Sequence, residues 1–219
     1  MSTIFDCTDI QSRPAGIRAA VDAAKAGRLV VLPTDTVYGI GCNAFDANAV
    51  RSLLAAKNRG PDMPVPVQVD SWDGVDELVS SVPETARKLM EAFWPGALSV
   101  VLKQAPALAW NLGNTGDTVL LRMPQHPVAI ELLRQTGPMA VSSANVSGQP
   151  PATTADEARA QLGESVSVYL DGGPATAGVA STIVDLTGTI PRILREGPIT
   201  AAVVADVLDI DPALLIGPR

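Results

Sequence analysis

The chain is poor in the residues that build zinc sites and disulfide frameworks. Its 219 residues include only two cysteines, Cys7 and Cys42, which are far apart and form no Cys-x-x-Cys spacing. This usage offers neither kind of site and is typical of proteins from a reducing compartment. We therefore expect a cytoplasmic protein.

A single histidine limits the nucleophilic mechanisms open to the chain. A Ser-His-Asp or Cys-His mechanism would have to use His126, since the sequence has no other histidine. Pro127 follows it directly at a predicted helix start. A structural role in the first turn of that helix is therefore favoured over a catalytic role.

Positive charge and aromatic rings are also scarce. The formal net charge is −7, and the chain has four lysines, three tryptophans, two tyrosines and three phenylalanines. Non-specific binding to nucleic acid depends on neutralising many phosphates and on stacking bases against aromatic rings. We therefore expect no general nucleic-acid-binding surface. The few cations that lie in loops are correspondingly more informative about function.

Long apolar runs are missing. The longest, such as LVVLP and AVSSANV, are far too short to span a bilayer. The N-terminal residues MSTIFDCTDI contain no basic region followed by an apolar run, so we expect no signal peptide.

The residues that are present indicate a well-filled hydrophobic core. The chain is 47% hydrophobic, and helical spacing alternates with short β-rich runs. Some strands follow strands directly, which predicts an α/β or α+β fold around one twisted mixed sheet flanked by helices. We expect a single domain over 1–219, with a core of about 12–200 and a C-terminal helix and tail at 201–219.

Apolar periodicity and proline or glycine at segment ends give the predicted elements. The predicted helices are 13–27, 46–58, 83–96, 127–137, 153–163 and 200–208. The predicted strands are 28–33, 37–42, 65–69, 97–103, 118–123, 139–143, 167–171, 181–186 and 192–196. Asp46 is the predicted N-cap of the second helix.

Four segments interrupt these patterns with glycine, proline and small hydroxyl residues: LPTDTVYGIGC, KNRGPDMPVP, SSANVSGQPPATT and LREGP. Loops outside strand ends commonly hold ligands. The first segment could equally be a turn closed by Asp35 or Thr36. The third could cradle phosphate oxygens or be a solvated turn with Asn145 in a left-handed conformation.

Four cations occupy loop or strand positions rather than helix faces: Lys57, Arg59, Arg122 and Arg195. Arg122 lies in an otherwise apolar strand, so it is either on a solvent face or buried with an anionic partner. Together with the small-hydroxyl loops, these cations favour a site for a polyanionic small molecule, above all a nucleoside triphosphate.

Seven motifs then carry a family resemblance: PTDTVYGIGC, Lys57-x-Arg59, FWPGALSVVL, TVLLRMPQHP, SSANVSGQPP, ASTIVDL and ILREGPI. In these motifs, in this order and from about Val30 to Ile199, the chain resembles the YrdC-like family, the threonylcarbamoyl-AMP synthases. The resemblance implies the short, single-domain form of that family, with a twisted mixed sheet that encloses a positively lined cavity.

The resemblance also implies an activity. Such enzymes convert ATP, L-threonine and bicarbonate into threonylcarbamoyl-AMP and pyrophosphate. A partner complex transfers the threonylcarbamoyl group to adenosine 37 of tRNAs that read codons starting with A. We therefore expect Mg²⁺ with ATP as substrate, no membrane partner, and RNA binding that is weak or indirect.

Site residues follow from the matched motifs. The resemblance implies ATP contacts from Lys57, Arg59, Thr118, Ser143, Asn145 and Arg195. It implies L-threonine contacts from Thr34, Arg122, Ser142 and Ser181. Lys57 and Arg59 are also the expected catalytic residues, and Mg²⁺ is expected to be held mainly by phosphates, with no protein metal site.

The chain departs from the family pattern after Arg59. The family commonly has a polar residue followed by Pro-Leu where this chain has Met63-Pro64-Val65, so a side-chain polar contact at position 63 is lost. The alternative to the synthase is a non-catalytic RNA-binding module of the same fold. A carbamoyl-transfer enzyme of the hydrogenase-maturation type is not expected, because it should carry added zinc-finger and acylphosphatase-like regions, which this sequence does not show.

Overall fold

A mixed β-sheet of ten strands organises the part of the chain that the computed structural model describes, which is residues 2–60, 62–108 and 110–216. Its strands are β1 (Thr3–Asp6), β2 (Val30–Leu32), β3 (Gly39–Asn43), β4 (Val67–Gln68), β5 (Leu98–Lys103), β6 (Thr118–Arg122), β7 (Met139–Ser143), β8 (Val168–Asp171), β9 (Thr182–Asp185) and β10 (Arg192–Arg195). The strand order is β1-β8-β2-β3-β7-β4-β6-β5-β9-β10.

Parallel and antiparallel pairs alternate irregularly across the sheet. The pairs β1·β8, β2·β8, β4·β6 and β5·β9 are parallel, and the other five are antiparallel. This confirms the predicted mixed sheet, and each predicted strand overlaps an observed one.

The helices within the described residues are α1 (Arg13–Lys25), α2 (Ala47–Ala56), α3 (Val75–Leu78), α4 (Glu84–Phe93), α5 (Pro127–Thr136), α6 (Ala155–Leu162) and α7 (Ala201–Leu208). None of them is both long and apolar enough to cross a membrane. The sequence pattern predicts neither of two short elements, β1 and α3.

Capping interactions fix the helix starts as the sequence predicts. Asp46 accepts hydrogen bonds from the backbone N–H groups of Asn48 (2.9 Å) and Ala49 (3.1 Å) and begins α2. His126 is the N-cap of α5, where its ring accepts a bond from the Val128 N–H at 3.3 Å. The histidine therefore has the structural role that the sequence favoured.

Two hydrophobic clusters lie on opposite faces of the sheet. Along β2, Val30 and Leu32 face α1 and α5, whereas Val31 faces the larger cluster, which α2, α4, α6 and α7 cover. This alternation is expected where both faces of a strand are buried. One half of the sheet is therefore sandwiched between helices.

In the other half of the sheet, the face that α1 and α5 cover elsewhere is not covered by a helix among the residues that the structure describes. In β4, β5, β6 and β9, one set of alternate side chains enters the larger cluster and the other set lines a concave cavity. In β6, for example, Val119 and Leu121 are core residues, and Leu120 and Arg122 face the cavity. The sheet therefore provides the floor of a binding site.

Two glycines allow β3 to approach its neighbour closely at the edge of this cavity. A Cβ at Gly39 would lie 2.6 Å from a methyl group of Val141, and a Cβ at Gly41 would lie 3.0 Å from the other. The Gly-x-Gly of the first motif is therefore part of a strand, as the sequence predicts for 37–42.

The C-terminal residues after α7 form further structure in a region where the sequence predicts a tail. Residues Pro212–Ile216 form a short 3-10 helix in which Leu215 is buried. Residues 217–219 lie outside the described residues, and the expected core of about 12–200 stays a prediction.

Replacing Asp46 tests the N-cap of α2, the helix whose C-terminal end carries Lys57. We expect Asp46→Ala to lower the free energy of unfolding by about 1 kcal/mol, because two N–H groups lose their acceptor. Asp46→Asn keeps an acceptor oxygen and should be close to neutral. Chemical denaturation measures both, and equal losses in the two variants would contradict the capping role.

Candidate active site

The cavity has a volume of about 330 Å³ and a polar row across its floor. Gln68 is paired in register with Arg122 on the next strand. Arg122 follows Leu121, which pairs with Val100, so it lies beside Ser99 on β5. Ser99 pairs with Ile183, and Ile183 with Arg195.

Arg122 is buried at the centre of this row, with 6% of its surface exposed. It donates from Nε to the carbonyl of Gly96 at 2.9 Å and from Nη1 to the Thr36 hydroxyl at 2.7 Å. Nη2 donates to Oδ1 of Asp35 at 2.6 Å, which makes an ion pair. Asp35 is thus the anionic partner that a buried strand arginine requires.

Asp35 connects two segments that are distant in sequence. Besides Arg122, its Oδ1 accepts a hydrogen bond from the backbone N–H of Gln125 at 2.8 Å. Burial lowers the pKa of Arg122, while the Asp35 charge acts in the opposite direction. The carboxylate therefore fixes the guanidinium before any ligand is present.

Thr34 belongs to the same network but has no free hydrogen-bonding capacity at its hydroxyl. Oγ1 donates to the Val37 carbonyl at 2.6 Å and accepts from the Thr36 N–H at 3.2 Å. Because its one hydrogen is used, the 3.0 Å contact with the Thr36 hydroxyl has Thr36 as donor. Thr34 and Thr36 are therefore joined by local turn hydrogen bonds, and Thr36 also accepts a bond from Arg122, which is distant in sequence.

Lys57 is almost fully buried at the C-terminal end of α2, with 2% of its surface exposed. Its ammonium donates to the carbonyl of Ser143, to the carbonyl of Asn145 at 2.7 Å, and to Oδ1 of Asn145 at 3.4 Å. Burial, and then the charge of Arg59, lower the pKa of Lys57 to about 8. The lysine holds the loop after β7 in place.

Asn145 shapes that loop from within. Its Nδ2 donates to the carbonyls of Val146 and Gln149, both at 2.9 Å. The positive φ in this segment belongs to Gly148 and not to Asn145. The left-handed turn that the sequence allowed at Asn145 is therefore not adopted. Ser143, at the end of β7, lines the cavity.

Arg59 bridges its own loop and the β7 strand. Nη1 donates to the Ser142 hydroxyl at 3.0 Å and Nη2 to the Pro64 carbonyl at 3.0 Å. Its Nε is buried and donates to no acceptor among the described residues. Arg59 therefore lines the cavity with one buried N–H that the described residues leave unpaired.

Arg195 and Ser181 meet at the far end of the floor. Arg195 donates to the Ser181 carbonyl from Nε at 2.9 Å and from Nη2 at 2.7 Å, and Nη2 lies 3.2 Å from the Ser181 hydroxyl. That hydroxyl is 2.8 Å from the hydroxyl of Ser99. Two serines and an arginine thus make a second polar cluster.

Two predicted site residues, Thr118 and Asn145, are not among the residues that line the cavity. Thr118 starts β6, four residues from Arg122, which is about 13 Å along a strand. Its hydroxyl donates to the Thr115 carbonyl at 2.6 Å. Met63 does line the cavity and is 55% exposed.

The polar residues of the site that sequence reasoning missed include Asp35, Thr36, Gln68 and Ser99. For Asp35 and Thr36 the sequence indicates only local turns. Gln68 and Ser99 are single polar residues within apolar strands, the same signal that identified Arg122. That signal could have found both.

The site collects positive charge and hydroxyl groups rather than an activated nucleophile. Burial raises the pKa of the Cys7 thiol to about 11 and that of Cys42 to about 12, which disfavours the reactive thiolates. Among the described residues there is no group of three or more histidine, cysteine or carboxylate side chains able to hold a metal ion. The arrangement suits binding and charge stabilisation of an anionic ligand.

Comparisons with known proteins agree with this geometry. The model of the Sua5/YciO/YrdC family, described as telomere recombination, matches residues 22–197. A Mycobacterium tuberculosis protein provisionally named threonylcarbamoyl-AMP synthase is 60% identical over 217 residues, which are 99% of this chain and 100% of that protein. The threonylcarbamoyl-AMP synthase of Bacillus subtilis is 38% identical over 195 residues.

Among solved structures, Pyrococcus abyssi Sua5 complexed with L-threonine matches with a TM-score of 0.90 and 35% identity over 97% of this chain. The chain spans 63% of that Sua5 chain and 56% of the Bacillus subtilis protein. Both of these relatives are therefore considerably longer than the region they share with it.

The lowered pKa of Lys57 predicts a pH-dependent difference in stability between wild type and Lys57→Met. Between pH 8 and the unfolded value of 10.5, the unfolded chain binds the additional proton, so this lysine makes stability rise with pH. Relative to Lys57→Met, the free energy of unfolding of wild type should increase by about 1–3 kcal/mol over that interval. Urea denaturation measures it. A difference in the free energy of unfolding that stays constant over this pH interval would contradict the lowered pKa of Lys57.

Proposed function

We propose, since this chain belongs to the Sua5/YciO/YrdC family, that it synthesises L-threonylcarbamoyladenylate and pyrophosphate from ATP, L-threonine and bicarbonate. The observation that carries this proposal is the convergence of four cations on one cavity of a chain with a net charge of −7. Serine and threonine hydroxyls from three loops surround the same cavity. Such a site suits a ligand that carries both phosphates and a carboxylate.

The ATP phosphates are proposed to bind to Lys57, Arg59 and Arg195, which all line the cavity. The unpartnered Nε of Arg59 supports this, because a phosphate oxygen would give the buried N–H an acceptor. Ser143 and Asn145 lie on the same side, in the loop that Lys57 holds. Thr118 is proposed as a more distant nucleotide contact, outside the cavity itself.

L-threonine is proposed to bind over the floor with its carboxylate at Arg122. The guanidinium has five N–H donors, and the Asp35, Thr36 and Gly96 bonds use three. Two donors remain for a carboxylate. Ser142, Ser181 and Thr34 line the surrounding walls, and the Thr34 hydroxyl would exchange a present partner to bind substrate.

The chemistry proposed is positioning combined with charge stabilisation. The threonine amine adds to the carbon of bicarbonate with loss of water, which gives a carbamate. A carbamate oxygen then forms a bond to the α-phosphorus, and the bond from phosphorus to pyrophosphate breaks. The fixed charges of Lys57 and Arg59 stabilise the negative charge that collects on the leaving group.

ATP is proposed to enter as its magnesium complex, with the ion held mainly by the phosphates. The described residues that line the cavity include no aspartate or glutamate, and Asp35 already uses its Oδ1 for Arg122 and the Gln125 N–H. Protein side chains would therefore contribute donors to the phosphates instead of ligands to the ion.

The product is proposed to pass to a tRNA threonylcarbamoyl-transfer complex in the cytoplasm for modification of adenosine 37. RNA binding by this chain itself is proposed to be weak or indirect. The net charge of −7 supports that, because tight RNA binding depends on neutralising many phosphates.

The first test is formation of the adenylate by purified protein with ATP, Mg²⁺, bicarbonate and L-threonine. We expect Lys57→Ala and Arg59→Ala to lower the rate of pyrophosphate release by about 10²–10³-fold, because charge stabilisation at the leaving group is lost. The exposed Arg51 on α2 and Lys88 on α4 provide matched Ala controls that should keep full activity.

The adenylate itself is identified by mass spectrometry with labelled bicarbonate. Full activity in both site variants would show that the site is misplaced. A wild type that forms no adenylate but binds RNA in a salt-sensitive manner would favour an RNA-binding module.

The second test separates the binding of L-threonine from the binding of ATP. We expect Arg122→Lys to raise the KM for L-threonine at least about tenfold while changing the KM for ATP much less, because lysine cannot pair with a carboxylate in a bidentate manner. Arg134→Lys, at an exposed position, is the control. A KM for L-threonine close to that of wild type would contradict the proposed binding of the carboxylate at Arg122.

A further inference from the structure

Asn58 separates the cations Lys57 and Arg59 and has a backbone conformation that few residues adopt. Its φ is +50°, in the left-handed region, and it is one of three non-glycine residues with a positive φ among those that the structure describes. The side chain is exposed and makes no hydrogen bond within the described part of the chain. The backbone conformation of Asn58, rather than a side-chain contact, is therefore the property that calls for an explanation.

The left-handed residue ends α2. The N–H of Asn58 donates to the carbonyl of Ala55 at 3.0 Å. The N–H of Arg59 donates to the carbonyl of Leu54 at 2.9 Å. These two bonds make a Schellman motif, in which a residue with a positive φ just beyond a helix lets the chain pair the last helix carbonyls. Because Lys57 is the C-cap of α2, the Lys-x-Arg motif coincides with the end of the helix.

This helix end decides where the two cations point. Each residue of an α-helix turns the chain by about 100°, so residues two apart face nearly opposite sides. If α2 continued, the buried Lys57 would leave Arg59 on the solvent side. Instead, the Lys57 ammonium donates to the Ser143 carbonyl. Nη1 of Arg59 donates to the hydroxyl of the adjacent Ser142 at 3.0 Å, so both cations reach the end of the same strand.

The residue type at position 58 suits this turn. In the left-handed region the Cβ of most residues crowds the following carbonyl oxygen, whereas glycine has no Cβ and asparagine adopts the region more readily than most residues. A β-branched residue there is a genuine outlier. Asn58 therefore allows the chain to turn between the two cations at little cost.

We propose that Asn58 is a positioning residue of the nucleotide site, whose left-handed backbone directs Arg59 into the cavity beside Lys57. The assignment rests on the proposed function, in which Arg59 binds the ATP phosphates. Asn58 acts through Arg59 and does not itself contact the substrate. A residue that resists the left-handed region should therefore weaken phosphate binding, although its side chain lies outside the cavity.

Asn58→Val tests this role. We expect the Kd of ATP with Mg²⁺, measured by titration calorimetry, to rise at least about tenfold, because Arg59 no longer directs its charge-assisted hydrogen bonds to the phosphates. The Kd of L-threonine should rise less than about threefold. Asn58→Gly adopts the left-handed region freely and should keep the wild-type Kd of ATP. Asn58→Ala should lie between the two and serves if the Val variant does not fold.

Asp209→Val is the matched control. Asp209 is exposed, has a φ of 54° at the C-terminal end of α7, and is not among the described residues that line the cavity. Beyond it, the N–H of Ile210 donates to the carbonyl of Ala205 at 3.1 Å, as Arg59 does to Leu54. Both Val variants should lower the melting temperature by about 2–8 °C. Only Asn58→Val should weaken the binding of ATP.

Three results would overturn the proposal. One is a Kd of ATP in Asn58→Val within twofold of wild type. Another is equal weakening of ATP binding by Asp209→Val, which would make the effect one of general stability. The third is equal weakening by Asn58→Gly, which would assign the effect to the lost side chain. Failure of wild type to bind ATP would instead overturn the proposed function and this assignment with it.

Discussion

One face of the sheet is covered by helices over only half of its width, and the binding site depends on this constraint. Where α1 and α5 cover the sheet, alternate residues are apolar on both sides, as in Val30, Val31 and Leu32. Beyond β7 the opposite face stays packed while the uncovered face carries Gln68, Arg122 and Ser99. The same strands therefore serve as core and as site, which makes the floor of the cavity rigid.

Rigidity of the floor matters because the cations on it are held by the protein itself. Arg122 is fixed by Asp35, Thr36 and Gly96, and Lys57 is fixed by the carbonyls of the loop that it supports. Burying these charges is costly unless they are paired. The hydrogen bonds offset that cost before substrate arrives, so the site is preorganised for an anion rather than assembled around it.

Much of the fold could be predicted from sequence because its elements are strongly patterned. Helix starts at Asp46 and Pro127 and the mixed sheet followed from caps, breakers and periodicity. The short β1 and α3 did not follow from these signals. Strand order was not predictable either, because it depends on which apolar faces fit together over long sequence separations.

The sequence by itself determined which loops and which cations would line the cavity, because glycine, proline and small hydroxyl residues interrupt the apolar pattern at those loops. Tertiary structure alone decided how those residues meet. Pairing of β4 with β6 puts Gln68 beside Arg122, 54 positions away in the chain, and the same strand direction places Thr118 at the opposite end of β6. Asp35 likewise pairs with Arg122 rather than closing a local turn, because a buried guanidinium requires an anion and the fold brings this one within reach.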